Sequence, residues 1–184
     1  KDVRGLKNVI HTEFNIEGNP KEQKFVDLVL EVRPHQVTLV PDTQGQLTSD
    51  HGWNTVEHKE YLVGVIKQLK EWGIRTSIFV DPDVDMVVGA KVIGSDRIEF
   101  YTESYAKEFT VDKQKAIAPF SHAAEVANKL GIGINAGHDL NLDNLKFFKE
   151  HKISNCLLEP IKEWAINCKK EAQSKSTYYT NNEC

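Results

Sequence analysis

Short apolar runs alternate with stretches of helical period along most of this chain. Thr12-Glu13-Phe14-Asn15-Ile16-Glu17 alternates polar and apolar positions and stops at Gly18-Asn19-Pro20, which predicts a strand running into a turn. Lys21 to Val32 sets Phe25, Leu28, Val29 and Val32 on one stripe, a helix that Pro34 ends. Gln36 to Val40 reads as the second strand, closed by Pro41-Asp42, and a polar loop runs from Thr43 to Asn54. Thr55 is the expected N-cap of a helix from Val56 to Trp72, with Leu62, Val65, Ile66 and Leu69 as its buried stripe and Gly73 as its stop. Arg75 to Val80 is the third strand, Val84 to Val92 a short helix, and Arg97 to Tyr101 the fourth strand. A second long loop, Thr102 to Val111, is expected before a helix from Asp112 to Leu130. Ile132 to Asn135 is the fifth strand, and Ala136-Gly137-His138-Asp139 turns into a helix near Leu142 to His151.

Five strand–helix units in series predict a parallel sheet with helical crossovers. An open doubly wound sheet and a closed (β/α)₈ barrel both fit, because periodicity does not separate them and both carry their sites at the C-terminal ends of strands. Glu17, Asp42, Asp81, Thr102 and His138 hold such positions. No G-x-G-x-x-G or P-loop follows any strand, which argues against a dinucleotide or nucleoside triphosphate enzyme. With 184 residues the chain is shorter than the roughly 250 of a typical barrel. It opens on Lys1-Asp2-Val3-Arg4 as though inside a helix, and the expectation is a fragment or a defective reading frame.

A net charge of −4, with no basic run and no interleaving of aromatic and basic residues, excludes a nucleic-acid surface. No apolar run reaches the roughly 18 residues of a membrane helix. Cys156, Cys168 and Cys184 fit no zinc spacing and read as free thiols of a reducing cytosol. No cluster of His and Cys predicts a metal, and the other histidines lack ligand spacing.

Five places carry candidate chemistry. Glu17 closes the first strand, where a carboxylate serves either as a general base or as a loop cap. Glu99 lies between Ile98 and Phe100 inside an apolar strand, so its side chain points opposite to theirs, into a barrel if they face the helices. A buried carboxylate costs several kcal/mol unless paired, so it demands a ligand, a proton or a cation such as Arg97 or Arg75. His138 follows the small residues Asn135-Ala136-Gly137 and is either an acid–base group or a loop histidine satisfied locally. Asp139 or Asn141 is placed to cap the next helix, whose amides would then face a phosphate. Thr48, on the long loop, offers a hydroxyl to a phosphate or sugar.

Taken together these stretches resemble the pyridoxine 5′-phosphate synthases. The matching pieces are Thr12 to Gly18, Arg33 to Pro41, Gly73 to Val80, Asp96 to Glu103 and Leu130 to Leu140, in that family's order and spacing, with the Asn135-Ala136-Gly137-His138 turn the most specific. The resemblance covers residues 1–159 and implies an α/β fold, a (β/α)₈ TIM barrel with about five to six of its eight strand–helix units in this chain. It implies a cytoplasmic, homo-oligomeric (octameric) transferase of vitamin B6 biosynthesis without cofactor or metal. The implied reaction condenses 1-deoxy-D-xylulose 5-phosphate with 3-amino-2-oxopropyl phosphate to pyridoxine 5′-phosphate, phosphate and water. Glu17 matches the general base, Glu99 the carboxylate that stabilises the transition state and His138 the proton donor. Thr48 matches a contact to the deoxyxylulose phosphate. Asp139 matches a contact to the aminoketone phosphate, made through its backbone amide since some relatives have Gly there.

The family's first two strands and its final Gly-His strand find no counterpart, and residues 160–184 match nothing in it. The expectation is a helix from Lys162 to Ala172 followed by a disordered tail, and a chain that catalyses the reaction poorly or not at all. Two rivals stand beside this reading. One is a non-catalytic barrel remnant. The other is a different phosphate-binding barrel lyase of aldolase type, which would need a Schiff-base lysine at a strand end, and no predicted strand ends in Lys.

Overall fold

The computed structural model describes residues 2–42, 50–137, 139–151 and 153, and the backbone of 156–158. A short helix α1 (Asp2–Leu6) leads into strand β1 (Asn15–Gly18). Then come α2 (Gln23–Val32), β2 (Gln36–Leu39), α3 (Lys59–Glu71), β3 (Arg75–Val80), α4 (Val84–Val92) and β4 (Arg97–Phe100). Two helices, α5 (Glu103–Phe109) and α6 (Lys113–Leu130), precede β5 (Gly133–Ala136), and α7 (Leu145–Glu150) precedes β6 (Cys156–Leu158).

The six strands pair in parallel in the order β1-β2-β3-β4-β5-β6. That order decides between the two architectures. A doubly wound sheet reverses its strand order at a switch point and carries helices on both faces. Here each strand lies beside the next one in sequence, and right-handed crossovers then put every connecting helix on one side. The sheet is an arc of a (β/α)₈ barrel.

Alternation divides the strands between two faces. Leu39, Ile78, Ile98 and Ile134 stand in one row across the ladder, fully buried in the core shared with the helices. The neighbouring positions are polar, with Gln36, Thr38, Ser77, Glu99 and Asn135 all buried. Barrel interiors are usually filled by Val, Ile and Leu, so a polar concave side marks this face as more than packing.

Helix ends follow local rules. Asp83 caps α4 by accepting from the amides of Asp85 and Met86, and Asp112 caps α6 by accepting from those of Gln114 and Lys115. Gly131 ends α6 at φ 66°, and Arg33 ends α2 at φ 51° with its guanidinium 4.3 Å over the Trp72 ring. On α2 the buried residues are Val26, Val29 and Val32, with Phe25 and Leu28 packed at the margin, so the stripe is rotated from the expected one.

Several expectations are corrected. Thr55 is no helix cap: α3 begins four residues later, and the buried Thr55 hydroxyl donates to the Met86 carbonyl at 2.9 Å, tying the loop to α4. The expected loop from Thr102 to Val111 holds helix α5, because Tyr105 and Phe109 stack one turn apart on the core. Tyr105 meets Phe120 and Phe148 at 5.9 and 4.9 Å, and its hydroxyl donates to the Asn144 carbonyl at 2.6 Å. Asn144, rather than Asp139 or Asn141, stands at the start of α7, and β6 is a sixth strand that the periodicity does not reveal. Residues 160–184 lie outside the described part, and with them the expected tail helix.

Asp96 joins the layers at the N-terminal end of the sheet. Its carboxylate accepts from the Thr76 amide at 2.9 Å and hydroxyl at 3.1 Å, and pairs with Lys70 of α3 at 2.8 Å. Burial alone would raise this carboxyl, but the Lys70 and Thr76 bonds outweigh it and hold it below its usual value. A carboxyl so depressed contributes stability that is full above its unfolded value, about 4, and is lost as pH falls through the folded one. Asp96→Asn is therefore expected to lower the melting temperature at pH 7 and to match the parent near pH 2. Thermal unfolding followed against pH checks this, and a gap that stays constant to pH 2 would contradict it.

Candidate active site

The concave face is built by the strand residues that alternate with the apolar row. Glu99 stands at its centre with 2% exposure, in register with Phe79 on β3 and Asn135 on β5. Two bonds cross this face between strands that are not neighbours. The Thr38 hydroxyl of β2 donates to Glu99 Oε2 of β4 at 3.3 Å, and Asn135 Nδ2 of β5 donates to Ser77 Oγ of β3 at 3.1 Å. Neighbouring strands lie about 4.8 Å apart, so next-nearest strands of a flat sheet are almost 10 Å apart. Short side chains such as Asn and Ser bridge that span only where the sheet is concave. Pairing even strand with even and odd with odd is also the layering of a barrel interior.

Arg97 enters the same face from the strand start. Its Nε donates to Asn135 Oδ1 and its Nη2 to the Ile134 carbonyl, both at 2.6 Å. Gly133 leaves room for this guanidinium, since a Cβ there would lie 2.6 Å from Arg97 Nη1. Arg75, nearer the N-terminal end, donates to Gln36 Oε1 at 2.9 Å and pairs with Glu13.

Toward the C-terminal mouth the face becomes apolar and aromatic, with Val40, Phe79 and Tyr101 packed together and the two rings 5.5 Å apart. Burial, the bond to Glu103 and the charges of Asp139 and Asp50 push the Tyr101 phenol up to about 12. It is a neutral donor at physiological pH.

The loops around the mouth are pinned to strand ends. Asn19 Nδ2 donates to the carbonyls of Pro41 at 3.3 Å and Asp42 at 2.6 Å, holding the turn after β1 against β2. The Gly52 amide donates to Asp81 Oδ2 at 3.1 Å and the Trp53 amide to the Phe79 carbonyl at 2.8 Å, which lays Gly52 and Trp53 over the end of β3.

Of the residues singled out from sequence, Glu17 is exposed on β1, in register with Thr38 and on the side opposite the buried Ile16. It therefore shares the concave face with Glu99. Asp139 is exposed in the turn after β5 at φ 51°, a left-handed conformation that Gly, Asn and Asp tolerate best. Its carbonyl accepts from Asn144 Nδ2 at 3.3 Å, while Asn141 Oδ1 accepts from the amides of Asp143 and Asn144. Thr48 and His138 lie outside the described residues. The described neighbours of His138, Gly137 and Asp139, follow the C-terminal end of β5. Thr38, Ser77, Asn135 and Tyr101 belong to the same face and were not singled out, although each occupies the alternate position of an apolar strand or directly follows one. Among the described residues no three His, Cys, Asp or Glu side chains gather to hold a metal ion, and no helix is long and apolar enough to cross a membrane.

Sequential parallel strands, helices on one side and a polar concave face opening at the strand C-termini define an α/β barrel scaffold with its site at the usual end. The chain belongs to the family of the pyridoxal phosphate biosynthesis protein PdxJ, whose model matches residues 1–158. It is 55% identical over 151 residues to a pyridoxine 5′-phosphate synthase of Flavobacterium johnsoniae, covering 82% of this chain and 63% of the relative. A pyridoxine 5′-phosphate synthase of Christiangramia forsetii is 57% identical over 150 residues, with the same coverage of each. The chain thus spans somewhat under two thirds of the length of these relatives. Among solved structures, the PaMucR phosphodiesterase in complex with c-di-GMP superposes with a TM-score of 0.51 at 11% identity, covering 81% of this chain and 66% of that one. At that identity the likeness is one of fold alone.

The pinned mouth gives a test in two glycines. A Cβ at Gly52 would fall 2.5 Å from the Asp81 amide nitrogen and the Val80 carbonyl carbon, so Gly52→Ala must push the loop off β3. The expected loss is about 1–3 kcal/mol in urea unfolding. Gly64→Ala, exposed within α3 with nothing near its Cβ, should instead stabilise by about 0.5–1 kcal/mol. Equal effects at the two sites would contradict the packing described.

Proposed function

We propose that the protein is a pyridoxine 5′-phosphate synthase, a transferase-type enzyme that condenses 1-deoxy-D-xylulose 5-phosphate with 3-amino-2-oxopropyl phosphate. The observation that carries the reading is a pair of carboxylates on one concave face, one exposed at a strand end and one buried at its centre. Family membership and the named relatives support it.

The two environments suit two tasks. Glu17, open to solvent at the edge of the face, takes the proton that must leave carbon as the ring forms. Glu99, desolvated and held by Thr38, offers a fixed negative charge to the cationic character that develops when amine and ketone condense. His138 supplies a proton to the departing oxygen, as an imidazole can near neutral pH. Thr48 binds the phosphate of the deoxyxylulose substrate through its hydroxyl, and Asp139 binds that of the aminoketone through its backbone amide. The left-handed backbone at Asp139 supports the last assignment, because a residue chosen for its conformation contributes its main chain whatever its side chain. The neutral Tyr101 beside Phe79 and Val40 gives the mouth an apolar, aromatic patch suited to an aromatic product.

Formation of pyridoxine 5′-phosphate from the two substrates, followed by chromatography of the product, tests the proposal. Glu17→Gln and His138→Asn are each expected to lower kcat by about 10²- to 10⁴-fold. Turnover is expected to be low in a chain that spans 63% of its relative's length, and a folded parent protein that neither binds these substrates nor yields any pyridoxine 5′-phosphate from them would overturn it.

A further inference from the structure

We propose that Arg75, Gln36, Asn15 and Thr38 form a one-directional hydrogen-bonded chain whose task is to position the Glu99 carboxylate. The proposal deepens the synthase reading and rests on it for the use to which Glu99 is put.

The chain follows from donors and acceptors. Arg75 Nε donates to Gln36 Oε1 at 2.9 Å, and Gln36 Nε2 donates to Asn15 Oδ1 at 3.4 Å. Asn15 Nδ2 donates to Thr38 Oγ1 at 3.1 Å. The Thr38 hydroxyl has one proton and two oxygens in reach, Asn15 Oδ1 at 3.2 Å and Glu99 Oε2 at 3.3 Å. Asn15 Oδ1 already accepts from Gln36, and a carboxylate is the stronger acceptor, so the proton goes to Glu99. Every amide then donates in the same sense, from a guanidinium at the N-terminal end of the face to a carboxylate at its centre. Bonds aligned in this way polarise one another in a low-dielectric interior. Thr38 and Gln36 are 0% and 2% exposed, so water does not compete for these groups.

The chain explains residue types that packing does not. Gln36 and Thr38 alternate with the apolar Val37 and Leu39, and valine would fill the position of Thr38 with the same shape. Glu13, Glu17, Arg75, Arg97 and Tyr101 are the other titratable side chains on the described parts of this face and at its N-terminal edge. Arg75 is paired with Glu13, and Arg97 is turned to Asn135.

The test reads Glu99 directly. Glutamate carboxyls labelled with ¹³C are titrated by NMR, with Glu99 assigned through Glu99→Gln. Thr38→Val removes the proton given to the charged form and should raise the Glu99 pKa by about one unit, with Thr38→Ser restoring the parent value. Thr38→Ala serves in the same role if the valine variant does not fold. Gln36→Met should shift Glu99 in the same direction by less. The double variant with Thr38→Val should move it no further than Thr38→Val alone, because the relay is already cut. An unmoved Glu99 in a folded Thr38 variant, or full additivity in the double variant, would overturn the proposal. Ring formation in the same proteins separates the two readings. Loss of kcat by about tenfold at unchanged KM in Thr38→Val, with recovery in Thr38→Ser, supports both. A shifted Glu99 in a parent that neither binds the two substrates nor makes product leaves the chain standing and removes the synthase reading.

Discussion

A carboxylate at the centre of a parallel sheet is the constraint on which the rest of this structure turns. Glu99 sits between Ile98 and Phe100, and the strand's alternation leaves it no choice of side. Removing such a charge from water costs several kcal/mol unless its oxygens are met by donors. The concave face meets that demand with the Thr38 hydroxyl, among further buried polar side chains at Gln36, Ser77 and Asn135, while Leu39, Ile78, Ile98 and Ile134 form an apolar row on the opposite face of the same strands. The Thr38 bond to Glu99 and the Asn135 bond to Ser77 both cross between alternate strands and so require the curvature.

Charge is graded along that face. Arginines enter it near the strand starts, neutral amides and hydroxyls fill its middle around Glu99, and the Tyr101 phenol lies toward the mouth. Arg75 and Arg97 are both spent on protein partners, so they hold the face together rather than wait for a ligand. At the mouth the main-chain amides of Gly52 and Trp53 are held by the Asp81 side chain and the Phe79 carbonyl at the end of β3.

Much of this was legible in the residues. β3 and α4 coincide with the segments expected from alternation and helical period, and the inward direction of Glu99 follows from its two apolar neighbours. What was not legible came from tertiary packing. Helix α5 lies in a segment whose polar residues read as a loop, and it is held by Tyr105 and Phe109 against rings supplied by α6 and α7. Thr55 looked like a cap because it precedes an apolar period, yet its hydroxyl is drawn to Met86 of another helix. β6 is only three residues long, too short for any period to show. Thr38 and Asn15 carried a visible signal, polar residues at alternate positions in apolar strands, but their bonding depends on strand order, which periodicity leaves open.

The most direct test of this account is a crystal structure of the protein with pyridoxine 5′-phosphate bound. The account predicts the pyridine ring in the mouth of the concave face, within hydrogen-bonding reach of Glu99 and beside Phe79 and Tyr101. Density for the ring on the helix-covered side of the sheet, or a Glu99 side chain turned away from the bound product, would contradict it.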